Sequence, residues 1–167
     1  MTRHLFLTGE KHIGKSTIIN KLLADSHLML GGFRTVRTDS VLRDRFSVHM
    51  LRPGECPTKE NLLFVCGVPS ADTVARFDTL GCAALAQSSG AELLLMDELG
   101  PNEAKALHFQ QAVLSALDGD IPILGVLQRA DSPFLKQIAA HEAVTVVEVT
   151  LENRDALPQI LCREFHF

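Results

Sequence analysis

Residues 9–16 read Gly-Glu-Lys-His-Ile-Gly-Lys-Ser, and this stretch, which has the spacing G-x-x-x-x-G-K-[ST], decides the fold. It follows an apolar run at residues 5–8 and precedes residues 17–23, where the apolar side chains fall at 18, 19, 22 and 23. That second spacing places them in one stripe along a helix. A strand, a tight loop and a helix form the context in which this spacing binds phosphate groups. The segment therefore predicts an α/β fold whose first loop holds the polyphosphate of a nucleoside triphosphate.

The chemistry of such a loop follows from its position at the start of a helix. The first-turn amides have no partner inside the helix, and together with the helix dipole they favour an anion. Lys15 is expected to reach the β- and γ-phosphates, and the Ser16 hydroxyl is expected to bind Mg²⁺. The predicted nucleotide-binding residues of the loop are Gly9, Glu10, Lys11, His12, Ile13, Gly14, Lys15, Ser16 and Thr17.

The composition suits one globular domain over residues 1–167, with 46% hydrophobic and 22% charged residues. A net charge of −4 and the lack of a basic stripe argue against nucleic acid as a partner. The apolar runs are too short to span a membrane, and the first residues are too polar for a signal peptide, so we expect a cytoplasmic protein without a membrane partner. We also expect a monomer. The cysteines lack metal-ligand spacing and are interpreted as reduced thiols; they are Cys56, Cys66, Cys82 and Cys162.

Beyond the loop, candidate strands and helices alternate along the chain. Apolar or β-branched runs predict strands near residues 34–38, 93–96, 121–127 and 144–149. Helical spacing predicts helices over residues 71–87, 103–117, 132–140 and 153–164, the last of them shortened or bent by Pro158. Gly31-Gly32-Phe33 is interpreted as a turn, and residues 45–66 as a short β insertion with strands at 46–51 and 62–66. The pattern predicts a three-layer, doubly wound, mostly parallel sheet covered by helices on both faces.

The strand at residues 93–96 leads into Asp97-Glu98-Leu99-Gly100, which predicts the second half of the nucleotide site. Ligands of a doubly wound sheet bind beyond the carboxyl ends of its strands. Asp97 is therefore expected beside Mg²⁺, directly or through a water. Glu98 is expected to position water against the γ-phosphate, which favours hydrolysis over transfer to another substrate. The alternative for Glu98 is a solvated acid that caps the turn at Gly100-Pro101.

The ends of the last two strands carry further candidates. Arg129 is expected to reach phosphate oxygens and stabilise charge in the transition state, or else to be an ordinary surface arginine. Asn153 and Arg154 are expected to contact the base, the first by an amide hydrogen bond and the second by stacking.

Several motifs occur in the same order as in a known family. They are residues 3–9 with Gly14-Lys15-Ser16-Thr17, Gly32-Phe33-x-Thr35, Asp97-Glu98-Leu99-Gly100-x-x-Glu103 and Val149-Thr150-x-Glu152-Asn153-Arg154. Together they resemble the small P-loop nucleoside-triphosphatase family typified by a thermophilic-bacterial enzyme and the human cancer-related nucleoside triphosphatase. The resemblance spans nearly the whole chain. It implies a RecA-like fold and slow, Mg²⁺-dependent hydrolysis of several nucleoside triphosphates, with Glu98 as the water-orienting base.

This sequence departs from the family pattern at several positions. Lys11-His12 replace the Pro-Gly that is usual in the loop, and glycine permits backbone conformations that histidine resists. Val36 follows Thr35 where acids are common, and Pro101 replaces a lysine. Residues 38–70 match the family poorly. These changes leave nucleotide binding better supported than catalysis.

Three functions are compatible with these observations. Hydrolysis of ATP, GTP and other nucleoside triphosphates is the leading hypothesis, because it uses both motifs and Glu98. A nucleotide or small-molecule kinase on the same scaffold is the second, with Arg34, Arg37 and Arg129 holding an anionic acceptor. The third is a catalytically weak ATP- or GTP-binding switch, which the altered positions 12, 36 and 101 suggest.

Overall fold

The strands of the described residues are β1 His4–Thr8, β2 Leu30–Asp39, β3 Phe46–Leu51, β4 Leu62–Val65, β5 Leu93–Leu99, β6 Ile123–Leu127 and β7 Val144–Glu148. They form one seven-stranded sheet in the order β4-β3-β2-β5-β6-β1-β7. The computed structural model describes residues 3–39 and 45–165, so residues 1–2, 40–44 and 166–167 of the predicted single domain lie outside it. Strands β2, β5, β6, β1 and β7 pair in parallel, and β3 and β4 extend the sheet in antiparallel fashion.

Helices cover both faces of the sheet, which confirms the predicted three-layer, mostly parallel α/β architecture. The helices are α1 Lys15–Leu23, α2 Thr73–Ala86, α3 Leu107–Leu117, α4 Pro133–Ala139 and α5 Leu157–Phe165. Helices α1 and α5 pack on one face with Leu5 and Leu7, whereas α2, α3 and α4 pack on the other with Phe6. Neighbouring residues of a strand point to opposite faces, so a strand buried on both sides is apolar throughout. In the described residues no helix is long and apolar enough to cross a membrane.

The predicted β insertion is present as the antiparallel pair β3 and β4. Strand β3 pairs with β2 from Arg34↔Leu51 to Asp39↔Phe46, and β4 pairs with β3 at its far side. The two strands lie where residues 46–51 and 62–66 were expected. They lengthen the sheet beyond β2 and so extend the edge along which a ligand of this fold binds.

The predicted turn at Gly31-Gly32-Phe33 is wrong, because both glycines lie inside β2. Gly32 has φ +81°, and a Cβ there would lie 2.0 Å from the Leu95 carbonyl oxygen. Glycine is therefore used here for a close backbone approach between β2 and β5 and for a left-handed conformation, both of which any side chain would oppose.

Other predicted boundaries also differ from the structure. The strand expected at residues 93–96 continues through Asp97 and Glu98 to Leu99. The helix expected over 103–117 is a 3₁₀ turn at Pro101–Glu103 followed by α3. The helix expected from residue 153 begins only at Leu157, with Pro158 in its first turn. Proline is tolerated in a first turn, where its missing N–H would have no partner. The preceding residues form a turn instead, because Asn153 Oδ1 accepts a hydrogen bond from the Thr150 amide at 2.8 Å.

Candidate nucleotide site

The loop between β1 and α1 has the backbone of a phosphate cradle. Gly9 and Gly14 take φ values of 145° and 114°, which side chains rarely adopt. A Cβ at Gly9 would lie 2.7 Å from the Val149 carbonyl oxygen, so the loop packs closely against the segment after β7. His12 also takes a left-handed conformation, with φ 61°, at the position where the resemblance noted above leads us to expect glycine. The loop therefore keeps its curved shape although His12 carries a side chain.

Lys15 lies inside the curve of this loop. Its Nζ donates to the Gly9 carbonyl at 3.0 Å and to the Glu10 carbonyl at 2.6 Å, and the residue is only 8% exposed. Burial lowers the pKa of the Lys15 ammonium, and the negative charge of Glu98 offsets part of this effect. The sequence thus places a buried positive charge at the centre of the loop, where phosphate oxygens would need one.

Ser16 and Asp97 come together from the start of α1 and from β5. Ser16 Oγ donates to Asp97 Oδ1 at 3.4 Å, and Asp97 is 6% exposed. Burial raises the pKa of Asp97, while the Arg34 guanidinium, with Nε 4.0 Å from Oδ2, opposes that shift. A hydroxyl and a carboxylate are oxygen ligands of the kind Mg²⁺ uses when substrate phosphates and waters complete its shell. The two side chains therefore fit the predicted metal site.

Glu98 directly follows Asp97 on strand β5 and so lies next to this pair. Its backbone amide donates to Thr35 Oγ1 of β2 at 3.3 Å, and its Oε1 accepts a hydrogen bond from Gln128 Nε2. Gln128 follows β6, which pairs with β5, so both side chains reach the same edge of the sheet. Sequence reasoning gave Gln128 no role. Its position at the end of a strand, directly before Arg129, was the available signal.

Glu103 is a second acid that sequence reasoning left without a role, although it belongs to the motif that starts at Asp97. It is 3% exposed, and its Oε2 accepts a hydrogen bond from the Gly100 amide at 3.1 Å. Burial raises the pKa of Glu103 to about 8, and the negative charge of Glu98 adds to the effect. A carboxyl with such a pKa is largely protonated at neutral pH, so it stands beside Glu98 as an uncharged group.

These residues line a cavity of about 740 Å³ along the carboxyl edge of the sheet. One end contains the loop residues and the other end is apolar, with side chains from β2, β3, β4 and α2. The apolar residues are Val36, Val48, Phe64 and Phe77. The predicted loop residues that line the cavity are Gly9, Glu10, Lys11, His12, Gly14, Lys15, Ser16 and Thr17. Ile13 instead packs against the core beneath α1.

Arg129 lines the cavity but is engaged by carboxylates. Its guanidinium pairs with Glu148, and its Nη1 lies 3.8 Å from Glu10 Oε1. About half of its side chain is exposed to solvent. To contact a phosphate, the guanidinium would have to give up its ion pairs with these carboxylates. This costs little, because surface ion pairs contribute little to stability. Its catalytic role stays a prediction.

Asn153 and Arg154 are not among the described residues that line the cavity. The Asn153 amide is used by the turn after β7, since Nδ2 donates to the Glu148 carbonyl at 2.8 Å. Arg154 Nη1 contacts the Ile13 carbonyl at 3.5 Å, which places the guanidinium next to the loop. Their assignment to the base stays a prediction.

The fold and the site together define a class of protein. A parallel sheet with a glycine-rich loop between β1 and α1, a buried lysine in that loop and a serine–aspartate pair beside it is the arrangement of a P-loop nucleoside triphosphatase. Residues 4–162 match the family described as NTPase. The chain belongs to this family, and the predicted enzyme class, a nucleoside-triphosphate phosphohydrolase, is confirmed.

Individual relatives agree with this assignment. The chain is 32% identical to the nucleoside-triphosphatase THEP1 of Thermofilum pendens over 97% of this chain and 94% of that protein. The crystal structure of THEP1 from Aquifex aeolicus has the same fold, with a TM-score of 0.75 at 20% identity over 98% and 99% of the two chains. The solution structure of a human cancer-related nucleoside triphosphatase gives a TM-score of 0.66 at 26% identity over 97% and 96%.

Proposed function

We propose that this chain hydrolyses ATP, GTP and other nucleoside triphosphates to the diphosphate and phosphate, with Mg²⁺ as cofactor. The observation that supports this most strongly is the position of Glu98, next to the Ser16–Asp97 pair and held by Gln128. A carboxylate at that point can orient a water against the γ-phosphate. The names of the relatives support hydrolysis in general, and the range of substrates and the metal belong to this proposal.

Each residue has a distinct part in the proposed reaction. The loop amides and Lys15 bind the phosphates, and Ser16 and Asp97 hold Mg²⁺. When bound, Mg²⁺ neutralises charge on the phosphate oxygens. Glu98 accepts a hydrogen bond from the water, whose oxygen attacks the γ-phosphorus while the bond from phosphorus to the β–γ bridging oxygen breaks. The proton of the water passes to Glu98 as the new bond forms, and Arg129 compensates charge on the transferred group.

Chromatography of a mixed nucleoside-triphosphate pool after incubation with the protein tests the proposal. We expect diphosphates and phosphate to accumulate, and expect EDTA to stop the reaction. Glu98→Gln should lower turnover by at least about 100-fold while nucleotide still binds, because the amide cannot take the proton. Lys15→Ala should weaken nucleotide binding itself. Glu142→Gln, at an exposed position, is the matched control and should have no effect.

The outcomes of this assay separate hydrolysis from nucleotide binding without turnover. An unchanged rate in Glu98→Gln would show that the base is wrongly assigned. Tight binding with negligible turnover in the wild type would instead indicate a switch protein. Hydrolysis that continues in the presence of EDTA would contradict the role proposed for Mg²⁺.

A kinase remains the second candidate because of the apolar end of the cavity. Val48 and Phe64 belong to the β insertion and line the part of the cavity on the far side of Glu98 from the loop. This part of the cavity has room for an acceptor molecule. Arg37 lines the same region and could hold an anionic group on such a molecule. Incubation with ATP and a metabolite mixture would favour this candidate if a phosphorylated acceptor appeared with little free phosphate.

A monomeric state and a cytoplasmic location are part of the proposal, and light scattering and fractionation test them.

A further inference from the structure

Gln128 binds both to the backbone of β5, one residue beyond Glu98, and to the side chain of Glu98. Its backbone amide donates to the Leu99 carbonyl at 2.8 Å, and its side-chain Nε2 donates to Glu98 Oε1. The first bond fixes the end of β6 against β5, and the second connects the amide to the carboxylate. A carboxylate can only accept hydrogen bonds when ionised, so the NH₂ end of the Gln128 amide must face it.

Gly100 makes room for this amide. Its φ of −144° is extended backbone that any residue adopts, so its conformation alone does not require glycine. A Cβ at Gly100, however, would lie 2.8 Å from Cδ, 2.9 Å from Oε1 and 3.0 Å from Nε2 of Gln128. The three atoms nearest to such a Cβ thus all belong to the Gln128 amide. Because Gly100 has no side chain, the amide can occupy this volume.

Glu103 holds Gly100 in place from the other side. Its Oε2 accepts the Gly100 amide at 3.1 Å, and Gln110 Nε2 donates to the Glu103 carbonyl at 2.8 Å, which ties the 3₁₀ turn to α3. The backbone that carries Glu98, Leu99 and Gly100 is therefore fixed on both sides. The Gln128 amide therefore packs against a braced backbone while it donates to the Glu98 oxygen.

We propose that Gln128 is the positioning residue for Glu98, and that Gly100 is glycine because the Gln128 amide needs its space. The proposal rests on the proposed function of Glu98 as the residue that orients water. One oxygen of Glu98 is held by Gln128, which leaves the other free for the water. Fixing a reacting group in its working geometry is a large part of catalysis, and a misplacement of about 1 Å can cost about 100-fold.

Substitutions at Gln128 test the hydrogen bond. Gln128→Met keeps the length of the side chain but lacks the donor, whereas Gln128→His keeps an N–H donor. We expect Gln128→Met to lower the single-turnover rate with MgATP by roughly 10- to 100-fold and to leave the affinity for the non-hydrolysable analogue AMP-PNP within about 2-fold. Gln128→His should recover part of the lost rate. Gln137→Met, at an exposed position of α4, is the matched control and should be as fast as the wild type.

A double-mutant cycle tests the role of Gly100. The atoms that a new Cβ would meet form the far end of a flexible side chain, so Gly100→Ala should fold and displace the amide rather than unfold the protein. We expect Gly100→Ala to lose about as much rate as Gln128→Ala, and the double variant to lose no more than either. Such non-additivity is expected when two residues act through one interaction.

The results distinguish this proposal from the proposed function. If Glu98→Gln abolishes turnover while Gln128→Met is as fast as the wild type, Glu98 keeps its role and Gln128 has none. If Gln128→Met loses rate and affinity together, or loses its melting transition, Gln128 acts in binding or folding and the proposal is wrong. Additive losses in the cycle would show that Gly100 is needed for another reason. If Glu98→Gln is fully active, the role proposed for Glu98 is wrong, and the role proposed for Gln128, which depends on it, is wrong as well.

Discussion

At the scale of single residues, Glu103 makes the stability of the protein depend on pH. Burial raises its pKa from 4.5 to about 8 in the folded state. Between these values the unfolded chain loses the proton while the folded chain keeps it, so stability falls as pH rises through this window. The change amounts to at most about 5 kcal/mol, since each pKa unit corresponds to about 1.4 kcal/mol.

Glu103→Gln should remove this dependence, because glutamine resembles the protonated carboxyl and cannot titrate. We expect the variant to gain stability relative to the wild type as pH rises from about 5 to about 8, by up to about 1.4 kcal/mol per pH unit. Urea unfolding of both proteins across this range measures the difference. Glu142→Gln, which is exposed, should run parallel to the wild type. A constant difference between Glu103→Gln and the wild type would mean that Glu103 is ionised in the folded protein.

His12 stores backbone strain in the loop, since its φ of 61° is left-handed and its side chain is exposed. This conformation costs a residue with a Cβ about 1–2 kcal/mol, and glycine avoids the cost but loses more entropy on folding. His12→Gly should therefore raise the free energy of unfolding by up to about 1 kcal/mol. His12→Val should lower it, because β-branched residues are least tolerant of this region. Thermal unfolding checks both, and a loss of stability in His12→Gly would show that the entropy cost of glycine, or a lost contact of the imidazole, outweighs the relief of strain.

At the scale of elements, the packing of α2 on α3 depends on Gly81. A Gly-to-Ala change inside a helix usually stabilises it by about 1 kcal/mol. Here a Cβ would lie 2.1 Å from Phe109 Cδ2, and the Phe109 ring is fully buried between Phe33 and Phe77, with centroids at 5.4 and 6.1 Å. The ring cannot move away cheaply in a densely packed core.

Gly81→Ala should consequently destabilise the protein by about 1–3 kcal/mol, the usual cost of overpacking. Chemical denaturation measures the change. Thr79→Ala, on the exposed side of the same helix, is the control and should be neutral or slightly stabilising because alanine favours helix. A stabilised Gly81→Ala would mean that α2 and α3 can separate enough to admit a methyl group.

The elements that the sequence predicted well are those whose pattern is local. The loop at residues 9–16 has a spacing that binds phosphate only between a strand and a helix, so it predicted β1, α1 and the α/β class together. Residues 93–96 of β5 and all of β6 are apolar on both faces, which is typical of the centre of a parallel sheet. Gly31-Gly32 was misread because a glycine pair is also a turn signal, and only the contact of Gly32 with Leu95 distinguishes the two.

The parts of the site that the sequence missed depend on contacts between distant segments. Gln128 and Glu98 are 30 residues apart, and their contact follows from the pairing of β5 with β6, which no local pattern gives. The sequence also gave no sign that the Asn153 amide bonds within its own turn, and the contact of this residue with the base stays a prediction. Sequence reasoning thus identified the residue types at the site better than their partners.

At the scale of the whole molecule, the loop, β5 and β6 are joined through one site, so ligand binding should stabilise the entire fold. A ligand present at about 100 times its Kd adds about 2.7 kcal/mol to the stability of the state that binds it. For a domain of this size that corresponds to a rise in Tm of roughly 5–10 °C. We expect this rise with MgATP or MgAMP-PNP, and a smaller one when EDTA removes the metal.

The Asp97→Asn variant distinguishes stabilisation by Mg²⁺ from stabilisation by the nucleotide in this measurement. Asparagine has nearly the same shape and carries no charge, so burying it costs less than burying the carboxylate, and the unliganded protein should be at least as stable as the wild type. The amide is a poorer ligand for Mg²⁺, so the rise in Tm should no longer depend on EDTA. Asp25→Asn, at an exposed position after α1, should keep the full Mg²⁺-dependent rise. If Asp97→Asn also keeps it, the Asp97 carboxylate does not hold the metal, and that part of the proposed site is wrong.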